Sequence, residues 1–201
     1  MLQASPLAAA DFERFVRLNA APQFEGAGAR SSARSQVVGQ CARWLAQPEL
    51  SSEALLACLP KLLGEAFLEF GWAWNGFYGL RDDGHLHLSF AHGPPVCSQL
   101  ESSGAALSSG MCFDSLALNQ TLAAFRTKDW PGYVSCDATS QLGTAAGIVV
   151  PIRDPRGTPI GCWDLDSIQP IEGDDVRFMD VLISSLARCV EFHPRSFGEG
   201  F

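Results

Sequence analysis

Residues 145–166 read Ala145-Ala146-Gly147-Ile148-Val149-Val150-Pro151-Ile152-Arg153-Asp154-Pro155-Arg156-Gly157-Thr158-Pro159-Ile160-Gly161-Cys162-Trp163-Asp164-Leu165-Asp166. An apolar run ends at Pro151 and Ile152, Asp154 to Gly157 turns the chain, and residues 158–166 come back, which predicts a β-hairpin. Alternation along the returning strand places Cys162, Asp164 and Asp166 on one face and Trp163 and Leu165 on the other. The stretch therefore predicts a sheet with one apolar face and one face carrying a thiol and two carboxyl groups.

Working outward, residues 72–80 form an aromatic-rich strand, Arg81-Asp82-Asp83-Gly84 a turn, and residues 85–91 the hairpin partner. Residues 121–125 read as a short strand. Residues 52–70 place Leu55, Leu56, Leu59, Leu62, Leu63, Ala66 and Phe67 on one helical stripe, which Pro60 should bend or restart. Residues 174–192 carry Val176, Met179, Ile183, Leu186 and Val190 on another. A short helix starts near Cys112, and residues 10–19 and 34–47 are helical, with a Gly/Ala/Ser-rich link over 25–32. Residues 92–111 and 128–143 read as loops. The order predicts an α+β fold, an antiparallel sheet covered by helices, in which residues 1–50 form a helical extension, 51–195 the domain and 196–201 a tail.

Bulk properties bound the function. With 201 residues, 47% hydrophobic and 18% charged, the chain is globular and long enough for one good-sized domain. A net charge of −8 without a Lys/Arg cluster excludes nucleic acid as a general partner. The first ten residues lack a basic region, and Asp11 and Glu13 end their apolar run, so no signal peptide is expected. No stretch reaches the ~20 apolar residues of a membrane span. A cytosolic protein with reduced thiols is the expectation, and seven cysteines, an odd count, are not read as a disulfide framework.

Three cysteines sit in Gly/Pro contexts: Gly93-Pro94-Pro95-Val96-Cys97, Gly110-Met111-Cys112 and Pro131-Gly132-Tyr133-Val134-Ser135-Cys136-Asp137. A thiol reacts when it is exposed and helped to ionise, and Cys112 at a helix N-terminus gains that help. Asp137 beside Cys136 acts in the opposite sense. The bland reading of a free cysteine, a buried inert side chain, fits Cys41, Cys58 and Cys189 in helical patterns. Zinc is disfavoured because neither CxxC nor a Cys/His pair at ligand spacing occurs. Paired carboxyls such as Asp164 and Asp166 suit gripping an ammonium group or sharing a proton; their bland reading is a solvated strand face. Trp72, Trp74, Phe77 and Tyr78 crowd one strand and read first as core, with an aromatic wall for an amine or thioether as the alternative.

Taken together these segments resemble the free methionine-(R)-sulfoxide reductases, a family of single GAF domains, over roughly residues 55–191. Typical of that family are a W-x-G-F-Y strand, a G-P-x-x-C loop, a G-V-C helix start, P-G-H-I-A-C-D and V-L-D-I-D-S. The chain offers Trp74-Asn75-Gly76-Phe77-Tyr78, Gly93 to Cys97, Gly110 to Cys112, Pro131 to Asp137 and Cys162 to Ser167, in that order. The resemblance implies a GAF fold, a homodimer, free methionine sulfoxide as substrate, no resident cofactor or metal, and thioredoxin or another dithiol as reductant. It implies Cys136 as the attacking thiol and Cys97 or Cys112 as the resolving one, with Cys112 and Cys136 able to exchange roles. Asp164 and Asp166 would hold and polarise the substrate, and Trp74 and Tyr78 would wall its methyl-sulfoxide end. The family's glutamate four residues before the proline of the penultimate strand is replaced by Gly147, for which Glu101 or Asp137 would have to substitute. Residues are also added between Cys97 and Cys112 and between Cys136 and Pro151. A non-catalytic GAF binding module and a thiol-based redox sensor stand as rival readings.

Overall fold

The structure, a computed structural model, describes residues 28–47, 50–102, 110–131 and 142–189. Six strands form one antiparallel sheet: β1 (Trp72–Leu80), β2 (Leu86–His92), β3 (Gln99–Leu100), β4 (Leu122–Ala124), β5 (Ala146–Arg153) and β6 (Pro159–Ser167), in the spatial order β3-β2-β1-β6-β5-β4. Among the described residues there are four α-helices, α1 (Ala29–Leu45), α2 (Ser52–Ala66), α3 (Met111–Leu118) and α4 (Gly173–Cys189). The α+β class and the hairpins at 72–92 and 145–167 are as the sequence predicts.

The sheet separates two apolar cores. On one face α1, α2 and α4 bring Val37, Cys41, Leu59, Leu63, Met179 and Leu182 against Phe77, Ile148, Val150, Trp163 and Leu165. The other face is smaller and holds Trp74, Tyr78, Cys112, Val149 and Cys162, with Met111, Phe113 and Leu116 of α3 packed against it. The strict alternation of β6 produces this division, since Trp163 and Leu165 must enter the large core if Cys162 and Asp164 face α3. Trp72 and Trp74 would share a face in a regular strand. An irregularity in the β1–β6 pairing between them sends Trp72 to the large core and Trp74 to the small one.

Local expectations shift in four places. Helix α1 begins at Ala29, inside the expected link, because tertiary contacts hold its first turns: Arg30 and Arg34, one turn apart, both bond the Asp175 carboxylate of α4. Pro60 neither ends nor restarts α2, which runs unbroken to Ala66; the Pro60 carbonyl accepts a hydrogen bond from Asn75 Nδ2 at 3.0 Å. The expected loop 92–111 contains β3, which pairs with Leu86 and His87. Cys58 is exposed rather than buried, because it lies on the flank of α2 away from Leu55, Leu56, Leu59 and Leu63. Cys41 matches the inert reading: burial pushes its thiol up to about 12. The Cys189 side chain and residues 10–19 lie outside the described residues.

The strand at Pro151 continues to Arg153. Strand β4 pairs only with Gly147 to Val149, so at Pro151 the outer side of β5 is an open edge, where a residue without an N–H is tolerated.

The Asp175 carboxylate has no exposed side-chain surface, and Arg34 Nη2 reaches it at 2.8 Å. Removing one member of such a pair strands a buried charge, which costs about 3–5 kcal/mol. Asp175→Ala is therefore expected to lose stability on that scale in urea unfolding, and an unchanged midpoint would mean that α1 is not clamped to α4.

Candidate active site

Sheet periodicity gathers the candidate residues on the face under α3. Strand β1 contributes Trp74 and Tyr78, whose ring centroids lie 6.0 Å apart at 38°. Gly76 stands between them on the same face, and a Cβ there would lie 2.7 Å from the Trp74 indole, so the ring lies down only because residue 76 has no side chain. Strand β6 contributes Cys162, Asp164 and Asp166, and β5 contributes Gly147 and Val149. In register, Asp164 stands between Gly76 and Val149, and Asp166 between Trp74 and Gly147.

Helix α3 carries Cys112 onto this face. Its sulfur donates to Asp164 Oδ2 at 3.4 Å, and both side chains are buried. Asp164 is only 6% exposed, so the solvated-face reading fails for it: α3 and the neighbouring aromatics cover the position. Burial raises the Asp164 carboxyl to about 6, and the hydrogen bond from Cys112 and one from the Leu165 backbone counter part of that rise. The group is thus poised to exchange a proton near neutral pH, as a general acid or base must be.

Tyr78 has a second task. Its hydroxyl donates to the Cys97 carbonyl at 2.9 Å and ties the loop after β2 to the site. Gly93 at the start of that loop has φ +128°, and a Cβ there would lie 2.6 Å from the Ala73 carbonyl oxygen, so the loop can hug β1 only with glycine at this point. Cys97 is half-buried. Cys136 and Asp137 lie outside the described residues.

Gly147 faces the site beside Asp166, and a Cβ there would lie 3.7 Å from Asp166 Oδ1. The site face is bare backbone at that position. Two participants went unrecognised in the sequence. Asp114, buried on α3 two residues after Cys112, accepts a hydrogen bond from Trp130 Nε1 at 2.9 Å and secures the chain just before Pro131. The only sequence signal for it was a carboxyl in the first turn of a short helix, which reads first as complementing the helix dipole. Cys162 was placed on the right face, but not as a thiol of the site. Among the described residues, no group of three or more His, Cys, Asp or Glu side chains could hold a metal ion, and no helix is long and apolar enough to cross a membrane.

Because Asp164 titrates near 6 when folded and near about 3.9 when unfolded, the folded state holds its proton more tightly. Its contribution to stability is complete below about pH 4 and is lost as pH rises through about 6. Asp164→Asn should flatten this dependence, so that the stability gap between wild type and variant changes by on the order of 1–3 kcal/mol between pH 4 and 7. Parallel urea-unfolding curves at the two pH values would contradict the raised carboxyl.

No family model matches the chain. It is 28% identical over 151 residues to Protein YtsP of Bacillus subtilis (strain 168), covering 72% of this chain and 85% of that protein. Among solved structures it is similar to a free methionine-R-sulfoxide reductase from Neisseria meningitidis in complex with its substrate, at 24% identity and TM-score 0.67, covering 84% of this chain and 94% of that one. A GAF domain matches with TM-score 0.68 at 19% identity, over 83% of this chain and 92% of that chain. With its six-stranded antiparallel sheet between a three-helix layer and a single short helix, the chain has the GAF fold.

Proposed function

We propose that the chain reduces free L-methionine-(R)-sulfoxide to L-methionine. The observation that carries this reading is the contact between the Cys112 sulfur and the buried Asp164 carboxyl, on the sheet face that also holds Trp74 and Tyr78. The similarity to a reductase solved with its substrate supports it.

Asp164 accepts the thiol proton while the Cys112 sulfur attacks the sulfoxide sulfur. Asp164 then delivers that proton to the sulfoxide oxygen as the oxygen passes to Cys112. Methionine leaves with a thioether, and Cys112 is left as a sulfenic acid. A second thiol attacks the Cys112 sulfur, the S–O bond breaks, water leaves and a disulfide remains. An external dithiol such as thioredoxin returns both thiols to the reduced state. Asp166 grips the substrate ammonium, and the aromatic pair packs on its methyl-sulfoxide end. No resident metal or cofactor is required by this scheme. A homodimer in the cytosol is part of the same reading.

The resemblance gave the first attack to Cys136 and allowed an exchange with Cys112. The Asp164 contact is the reason to take the exchange, with Cys136 or Cys97 as the resolving thiol. Gly147 favours a second reading, a GAF module that binds a small metabolite without turnover, since no carboxylate side chain arises from that point of the site face.

A thioredoxin-coupled assay with free L-methionine-(R)-sulfoxide should show NADPH consumption. Cys112→Ser should abolish it, and Asp164→Asn should lower kcat by about 100-fold or more. Without reductant, Cys136→Ser should still release one equivalent of methionine. If Cys136→Ser releases none while Cys112→Ser does, the roles are the reverse. Calorimetric binding of methionine without turnover in a preparation where a control reductase works would establish the second reading instead.

A further inference from the structure

Cys162 is the one buried thiol on the site face that the reaction scheme leaves unused. It has no exposed surface, and it shares a buried cluster with Trp74, Tyr78, Val149 and Cys112. On β6 it precedes Asp164 by two residues on the same face, so the two Cα atoms stand roughly 6–7 Å apart. The Cys112 sulfur touches the carboxylate of that same Asp164 at 3.4 Å. Cys112 and Cys162 therefore belong to one buried cluster, the first bonded to Asp164 and the second its neighbour on the same strand face. Cys41, equally buried, belongs to the core on the opposite side of the sheet.

We propose that Cys162 is an internal capture thiol: when Cys112 is oxidised to a sulfenic acid, Cys162 condenses with it to a disulfide that staples α3 to β6. This inference rests on the reading of Cys112 as the reactive thiol. The oxidant is a sulfoxide or a hydroperoxide. With hydrogen peroxide, the Cys112 sulfur takes one oxygen, the O–O bond breaks, and water leaves with the second oxygen and the thiol proton. The Cys162 sulfur then attacks the Cys112 sulfur as the S–O bond breaks. Asp164 passes the Cys162 proton to the departing hydroxide, and a second water forms.

The result is a disulfide shut inside the small core. Cys97, half-buried on a loop, presents a sulfur nearer the surface to an external dithiol. A Cys112–Cys162 bond is consequently a parked state, reduced more slowly than one ending on a loop thiol. Its use is protection, because a sulfenic acid captured as a disulfide cannot proceed to the irreversible sulfinic acid.

The test uses the full chain carrying Cys97→Ser and Cys136→Ser, treated with hydrogen peroxide, unfolded in an alkylating agent and digested with trypsin. The expected product links peptide 82–126, which then holds Cys112 as its sole cysteine, to peptide 157–177, which holds Cys162. Adding Cys162→Ala, or Cys162→Ser should the alanine variant fold poorly, is expected to raise the sulfinic fraction at Cys112 several-fold. Recovery of Cys162 as an alkylated thiol while Cys112 carries sulfinic acid overturns the proposal, as does linkage of Cys112 to any other cysteine. The coupled sulfoxide assay on the unmutated chain is independent of this result. Linkage without turnover leaves the capture thiol standing and removes the reductase, and turnover without linkage does the reverse.

Discussion

Ionising a carboxyl group that has been sealed between a sheet and a helix costs free energy, and at Asp164 that cost is only partly offset by the Cys112 thiol and the Leu165 backbone. The remaining features of the site depend on this balance. With α3 elsewhere, Asp164 would be an ordinary solvated carboxylate and Cys112 a thiol without a proton acceptor. Packing of Met111, Phe113 and Leu116 against the small core keeps the pair together. Van der Waals contact of an eight-residue helix thus sets the chemistry of an acid on a distant strand.

The two cores divide the labour. The large one, packed by α1, α2 and α4, buries most of the apolar side chains, and the ion-paired seam between α1 and α4 binds α1 into the same body. The smaller one mixes aromatic rings with two thiols, and the buried Asp164 carboxyl lies against it. On that side a tryptophan lies across a glycine, and a loop glycine takes positive φ so that its loop can hug β1.

Much of this arrangement was legible in the chain itself. Period-two alternation at 162–166 fixed which side chains share a face, and the stripes around Leu59 and Met179 fixed which helix faces are buried. Legibility failed where tertiary contacts outweigh local preference. Helix α1 starts early because two arginines find Asp175 some 140 residues away, a pairing no local window contains. Strand β3 is a two-residue edge held by its partner, and no alternation can be read in two residues. Asp114 and Cys162 looked ordinary because the Trp130 hydrogen bond to the first, and the cluster that the second shares with Cys112, exist only once α3 packs on the sheet.

One phenol both packs in the small core and grips the backbone of the Cys97 loop. A tilt of the Tyr78 ring must therefore stretch or release the tether on that carbonyl. Disturbing the small core and loosening the Cys97 loop are, in this design, two readings of a single dial.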